Sequence, residues 1–154
     1  RVIAIDPLPY RRGAALELEA GLALSPDDPD LAAKVRAFAG ADGVDCAIEC
    51  SGAPAAHRLA IDLLRPLGGL AIVGESNADT VIHASDDMIR KGISIVGNWH
   101  YNGRRYGALT QVIERSPLAK KLITHALPMT QIQRAMEISA SPEHIKIMLH
   151  PWDD

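Results

Sequence analysis

The chain has 154 residues, a mass of 16.5 kDa and 47% hydrophobic residues, which suits one globular domain over residues 1–154. It contains no apolar run of about 18 residues of the kind that spans a bilayer, so no membrane partner is expected. Its net charge is −3 at pH 7, without a basic stripe interleaved with aromatic residues; this argues against a nucleic-acid partner and favours small-molecule ligands.

The cysteines and histidines predict no metal site in this chain. Cys46 and Cys50 are the only cysteines, and their spacing suits neither a disulfide framework nor a four-ligand zinc site. The six histidines show no HExxH or comparable ligand spacing. We therefore expect a reducing, cytoplasmic location and no metal ligand among these residues.

Short apolar runs alternate with helix-forming segments along the whole chain. In chain order, the sequence predicts a strand at Val2–Ile5, a helix at Tyr10–Ala20, strand Leu22–Leu24, helix Leu31–Phe38, strand Asp45–Glu49, helix Pro54–Leu64, a turn at Pro66–Gly69, strand Leu70–Val73, helix Met88–Lys91, strand Ile93–Val96, helix Arg104–Arg115, strand Leu122–Ala126, helix Gln131–Ser139 and strand Ile145–Leu149. Strands that are apolar throughout are typical of a parallel sheet covered by helices on both faces. The prediction is a doubly wound α/β fold.

Ligands of such a fold lie beyond the carboxyl ends of the strands, and Asp6 follows the first predicted strand. An acidic residue there can accept hydrogen bonds from both ribose hydroxyls of NAD and repels the 2′-phosphate of NADP. The alternative is a solvated turn aspartate before Pro7. Arg11 and Arg12 follow closely and could instead accommodate a 2′-phosphate, so NADP stays a less favoured choice.

Other strand ends carry glycine and hydroxyl residues. Gly52, Gly74 and Gly97 each follow a predicted strand and would let a cofactor approach the backbone. Ser51 lies in Glu49-Cys50-Ser51-Gly52 and lacks the GxSxG elbow of a hydrolase nucleophile. We predict no catalytic residue in this chain.

Four segments of the sequence are similar to motifs of one enzyme family. Residues 45–52 resemble a D-x-x-x-E-x-[ST]-G motif, and residues 65–74 resemble an L-x-x-G-G-x-x-x-x-G turn and strand. Residues 90–99 resemble a K-x-x-x-x-G strand, and residues 146–149 resemble the final strand of the same family. In these segments the sequence resembles the medium-chain dehydrogenases, with the zinc-dependent alcohol, polyol and threonine dehydrogenases the most similar. The resemblance covers essentially the whole chain and implies the C-terminal, cofactor-binding half of such an enzyme, with a Rossmann-type sheet.

The resemblance also implies roles for individual residues. The acid that binds the ribose falls on Asp6 and its basic neighbour on Arg11, and the pyrophosphate would meet Lys146. The remaining residues implied or predicted at the cofactor lie at the strand ends: Cys50, Ser51, Gly52, Val73, Gly74, Ser94 and Val96. The region Thr80–Lys91 corresponds to the place where family members pair into dimers, so a homodimer or homotetramer is expected.

The family's first strand, its G-x-G-x-x-G turn and its N-terminal zinc lobe have no counterpart here. We therefore expect a sheet that is incomplete at its N-terminal side, a natural chain that extends upstream of Arg1, and no activity from these residues alone.

Three functions are compatible with these patterns. The first is the cofactor half of an NAD- and zinc-dependent enzyme that moves hydride from a secondary alcohol or polyol to NAD. The second is a zinc-independent, NADPH-dependent reductase similar to quinone reductases, and the third is a non-catalytic nucleotide-binding or dimerisation module.

Overall fold

The computed structural model describes residues 1–99 and 103–152, in which parallel strands alternate with helices. The strands are β1 Ile3–Ile5, β2 Leu22–Leu24, β3 Val44–Glu49, β4 Leu64–Ile72, β5 Ser94–Gly97, β6 Ile123–Pro128 and β7 Lys146–His150. The α-helices are α1 Pro9–Glu17, α2 Leu31–Ala39, α3 Pro54–Leu63, α4 Tyr106–Arg115 and α5 Ile132–Ser139. A π-helical turn covers Ala84–Ile89, and single 3₁₀ turns cover Gly103–Arg105, Ala119–Leu122 and Met129–Gln131.

Every described pair of strands is parallel, which confirms the predicted α/β class. The strands form three ladders, β1–β2, β3–β4–β5 and β6–β7. Neighbouring strands in each ladder are joined through a helix or a helical turn, as a parallel connection requires.

The order within each ladder agrees with a doubly wound sheet, whose usual order is 3-2-1-4-5-6. The pair β1–β2 corresponds to the neighbouring places 2 and 3, and β3–β4–β5 corresponds to places 4 to 6. Among the described residues, β1 and β3 share no ladder.

The chain divides into two compact units. Residues 1–28 and 104–154 form one, called here the terminal unit, and residues 29–103 form the other, called the central unit. The single domain expected over residues 1–154 stays a prediction, because a sheet without its central strand would divide in this way.

The core of the central unit lies between α3 and the β3–β4–β5 ladder. Ile61 of α3, Leu64 and Leu70 of β4, and Ile93 before β5 are all buried, and apolar residues of β3 pack against them. Because helix α3 returns the chain from β3 to β4, this packing fixes the carboxyl ends of both strands.

Three elements differ most from their predicted bounds, and most of the others differ by one or two residues at an end. Helix α1 ends at Glu17 rather than Ala20, because Glu19 adopts a positive φ of 68° that a helix cannot continue. Strand β4 begins at Leu64 and includes the predicted turn, where Leu67 has a φ of 62° and the register with β3 shifts. The helix expected at Met88–Lys91 is the π-helical turn Ala84–Ile89, which ends before Gly92, with its φ of 62°.

Candidate cofactor-binding site

Asp6 lies at the carboxyl end of β1, where its backbone N–H donates to Leu24 O of β2 at 3.1 Å. Its Oδ1 accepts a hydrogen bond from the backbone N–H of Leu8 at 2.8 Å. Pro7 has no N–H to donate, so this side-chain bond turns the chain out of the strand. The carboxylate thereby becomes a fixed feature of the strand end.

The two arginines after Asp6 have different surroundings. Arg12 Nη1 donates to the main-chain oxygens of Asp6 at 2.7 Å and of Pro7 at 2.8 Å. The guanidinium of Arg12 thus stabilises the turn, whereas the side chain of Arg11 is exposed. Of the two, Arg11 is the one whose charge stays open to solvent or to a ligand.

In the central unit, the carboxylate of Glu49 organises the turn that follows β3. Its Oε1 accepts the N–H of Ser51 at 2.7 Å and also a short hydrogen bond from Ser51 Oγ. The N–H of Gly52 lies 3.1 Å from Oε1 and 3.0 Å from Oε2. A single side chain therefore holds the backbone at Cys50–Gly52, while Cys50 and Ser51 stay exposed.

The main-chain oxygen of Glu49 holds the end of β4 as well. It accepts the N–H groups of Val73 at 2.8 Å and of Gly74 at 3.0 Å. The next strand is joined in the same way, because Asn98 N donates to Ile72 O at 2.9 Å. The structure thus brings together five of the predicted cofactor residues, Cys50, Ser51, Gly52, Val73 and Gly74.

The two turns after β3 and β4 touch at their glycines. A Cβ on Gly52, whose φ is 72°, would lie 2.0 Å from Glu75 O, and a Cβ on Gly74 would lie 2.2 Å from Gly52 N. Both glycines thus make room for protein backbone rather than for a ligand. At Gly97, by contrast, a Cβ would meet nothing within 4 Å, so the backbone there is open to a ligand.

His57 of α3 lies on the inner side of Glu49. Both side chains are 4% exposed, and His57 Nε2 is 3.1 Å from Glu49 Oε2, at an angle that makes no hydrogen bond. The other ring nitrogen, Nδ1, is 2.6 Å from Thr80 Oγ1. A Glu–His–Thr chain, in which Glu49 and His57 are buried and Thr80 is half-buried, therefore runs from the turn after β3 to the segment after β4.

Glu49 is ionised in this environment. Burial raises the pKa of its carboxyl. The hydrogen bonds from Ser51 and Gly52 and the nearby His57 lower the pKa by a larger amount, so that it lies below its usual value. A buried carboxylate with several N–H and O–H donors is stable as the anion.

The remaining predicted residues belong to other elements of the fold. Val96 is near the carboxyl end of β5 and 60% exposed, whereas Ser94 is the first residue of β5, at the opposite end of the strand from Gly97. Lys146 is the first residue of β7 in the terminal unit, and its side chain is exposed.

The described residues do not fit a zinc ion. Across residues 1–99 and 103–152, no three His, Cys, Asp or Glu side chains come together as metal ligands. In the same part of the chain, no helix has the length and apolar character needed to cross a membrane.

The sequence profile of the family described as zinc-binding dehydrogenase matches residues 1–115. The chain belongs to the zinc-binding dehydrogenase family. It is 29% identical to an L-threonine 3-dehydrogenase of Caldanaerobacter subterraneus over 97% of this chain and 44% of that protein. It is 31% identical to a sorbitol dehydrogenase of Halalkalibacterium halodurans over 90% of this chain and 41% of that protein. The chain thus spans less than half the length of these relatives.

Solved structures of zinc-binding dehydrogenases share the fold. An alcohol dehydrogenase from Thermotoga maritima superposes with a TM-score of 0.89 at 24% identity, over 97% of this chain and 43% of that one. For 2R,3R-butanediol dehydrogenase from Bacillus subtilis the TM-score is 0.81 at 25% identity, again over 97% and 43%. These matches confirm the Rossmann-type architecture and the resemblance to the cofactor-binding half of these enzymes.

From the sequence alone, Glu49 is included only as part of a motif, and no functional role is assigned to His57. The acidic residue at the end of an apolar strand was the available signal for Glu49. No comparable signal exists for the contact between His57 and Thr80, because the two residues are 23 positions apart and meet only through the fold.

Proposed function

We propose that these residues form the NAD-binding part of a zinc-dependent dehydrogenase that oxidises a secondary alcohol, either a polyol or a hydroxy amino acid. The observation that carries this proposal is the carboxylate of Asp6, held at the carboxyl end of β1 in a member of the zinc-binding dehydrogenase family. An acid at this position suits the ribose hydroxyls of NAD.

The surroundings of Asp6 support NAD over NADP. A 2′-phosphate would approach the Asp6 carboxylate and be repelled by it. Arg12, which could offset that repulsion, is already bound to the main-chain oxygens of Asp6 and Pro7. The exposed Arg11 is the residue on which the NADPH-dependent alternative depends.

The substrate class rests on the relatives. Those named above are an L-threonine 3-dehydrogenase and a sorbitol dehydrogenase, and other relatives carry the same two names. Both named substrates carry a secondary hydroxyl, so we propose that this protein takes a substrate with the same group.

The predicted cofactor residues contact different parts of the cofactor in this proposal. When bound, the nicotinamide ring supplies the hydride acceptor. Asp6 holds the adenosine ribose, Arg11 lies beside it, and Lys146 approaches the pyrophosphate. The backbone at Cys50–Gly52 and Val73–Gly74, together with Val96, lines the crevice. A role for Ser94 at the cofactor stays a prediction, and its position at the amino end of β5 does not support that role.

We further propose that the rest of the protein provides the glycine-rich turn and the zinc site, because this chain spans less than half the length of its relatives. Cytoplasmic location and assembly as a homodimer or homotetramer also stay predictions.

The test is a steady-state assay of the full-length gene product, loaded with zinc, on L-threonine, sorbitol and related polyols with NAD or NADP. Reduction of NAD on at least one of these substrates, with little reduction of NADP, is the expected result. Preference for NADPH with an activated double bond would favour the reductase alternative. Lack of turnover with retained NADH binding would favour a nucleotide-binding module.

A further inference from the structure

The chain of Glu49, His57 and Thr80, called here the anchor chain, links the turn after β3, which lines the proposed crevice, to the segment that follows β4. Glu49 holds the backbone at Cys50–Gly52 through its carboxylate, as described above. Thr80 belongs to the segment that follows β4 and touches none of the predicted cofactor residues in any described hydrogen bond. His57 is the link between them, with one ring nitrogen facing each partner.

The orientation of His57 matters because Glu49 is a buried anion. A buried carboxylate depends on nearby polar groups for its stability, and on the inner side of Glu49 that group is His57 Nε2, 3.1 Å from Oε2. An imidazole ring can rotate about its Cβ–Cγ bond, so a hydrogen bond to the far nitrogen is what keeps the near nitrogen directed at the carboxylate. Thr80 Oγ1, 2.6 Å from Nδ1, provides that bond.

We propose that the anchor chain is a positioning device, in which Thr80 orients His57, His57 keeps its Nε2 beside the Glu49 carboxylate, and Glu49 fixes the backbone at Cys50–Gly52 for cofactor binding. The last of these steps rests on the proposed function. Thr80 is then a positioning residue that acts on the cofactor from a distance, through two other side chains.

The sharpest test replaces Thr80 by Val in the full-length protein, because valine keeps the shape of threonine and removes only the hydroxyl. We expect NADH to bind about fivefold more weakly, the effect of losing one hydrogen bond. We also expect faster hydrogen exchange at the amides of Ser51 and Gly52. Thr80→Ser, which restores the hydroxyl, should recover both, and the KM for the alcohol should change less than the KM for NAD.

The matched control is Thr110→Val, which removes a hydroxyl that bonds only locally, to Gly107 O at 3.0 Å in α4. It should leave NADH binding unchanged. If Thr80→Val lowers the melting temperature but alters neither the exchange of residues 51–52 nor NADH affinity, the anchor chain is purely structural and the inference is wrong. If the wild-type protein binds no NADH, the proposed function and this inference are overturned together.

Discussion

Asp6 presents its carboxylate at the end of β1, with one oxygen already bound to Leu8 N–H. Replacing Asp6 by Ser removes the negative charge but keeps a side-chain oxygen for the turn. Because a hydrogen bond to a charged group is stronger than one to a hydroxyl, NADH should bind about tenfold more weakly. NADPH should bind more tightly, because the repulsion of its 2′-phosphate is gone. Titration of the full-length protein with each cofactor measures both changes.

Asp27→Asn is a suitable control, since it removes a carboxylate from an exposed turn of the same unit. It should leave the NADH to NADPH ratio unchanged. An equal effect of the two substitutions would mean that Asp6 acts only through the net charge and does not contact the ribose.

Asp87 has a carboxyl group whose pKa is strongly lowered by its partners. Two nitrogens of Arg58 donate to it at 2.6 and 2.8 Å, and His83 N–H donates at 2.8 Å. These bonds lower the pKa of Asp87 from 3.8 to about 2. The unfolded chain therefore takes up a proton at higher pH than the folded chain does, and the stabilisation is present above about pH 4 and is lost as the pH falls toward about 2.

Urea unfolding of the wild type between about pH 5 and pH 2.5 should therefore show a falling midpoint, part of which disappears in Asp87→Asn. Asp86→Asn is the matched control, because Asp86 pairs with Arg90 on the surface, where both side chains are well exposed. If Asp86→Asn and Asp87→Asn flatten the curve equally, the Arg58–Asp87 pair does not contribute as described.

At the scale of elements, the turns after β3 and β4 depend on the absence of side chains at Gly52 and Gly74. Gly52→Ala would combine a positive φ of 72° with a Cβ 2.0 Å from Glu75 O. We expect a loss of about 2 kcal/mol or more in the free energy of unfolding, because backbone rather than a flexible side chain must move. NADH binding should weaken too, since the same turn lines the crevice.

Gly13→Ala offers the opposite expectation in helix α1, where a Cβ would meet nothing within 4 Å. It should stabilise the protein by about 0.5–1 kcal/mol, through the higher helix propensity of alanine. Urea unfolding of both variants provides the comparison. A neutral Gly52→Ala would show that the two turns lie farther apart than described.

The sequence predicts elements well where local chemistry decides them. Strand β2 has its predicted bounds, and α3 begins at Pro54 as expected because proline is favourable in the first helical turn. The early end of α1 at Glu17 was not predicted, since it needs a non-glycine residue with positive φ. A turn was predicted at Pro66–Gly69, but its inclusion in β4, where Leu67 has a positive φ, was not. Within the candidate site, Asp6 and Gly52 follow from strand ends, whereas the contact of His57 with Thr80 depends on how α3 packs against β3.

At the scale of the whole molecule, strand β3 is an open edge of the β3–β4–β5 ladder. It pairs with β4 on one side and has no partner in a described ladder on the other. Ile48, near its end, is 72% exposed, whereas strands of a parallel sheet are normally covered on both faces. An apolar strand with an open edge is a site for pairing with another strand.

We therefore expect the open edge of β3 to pair with a further strand in the full-length protein. Hydrogen exchange of residues 44–49 should be slower in the full-length protein than in residues 1–154 expressed alone, whereas exchange in β4, which already has partners on both sides, should differ much less. Residues 1–154 alone should also fail to reduce NAD. Equal protection of β3 in the two proteins would contradict the expectation of a further strand beside it. NAD reduction by residues 1–154 alone would mean that all the catalytic residues lie within them.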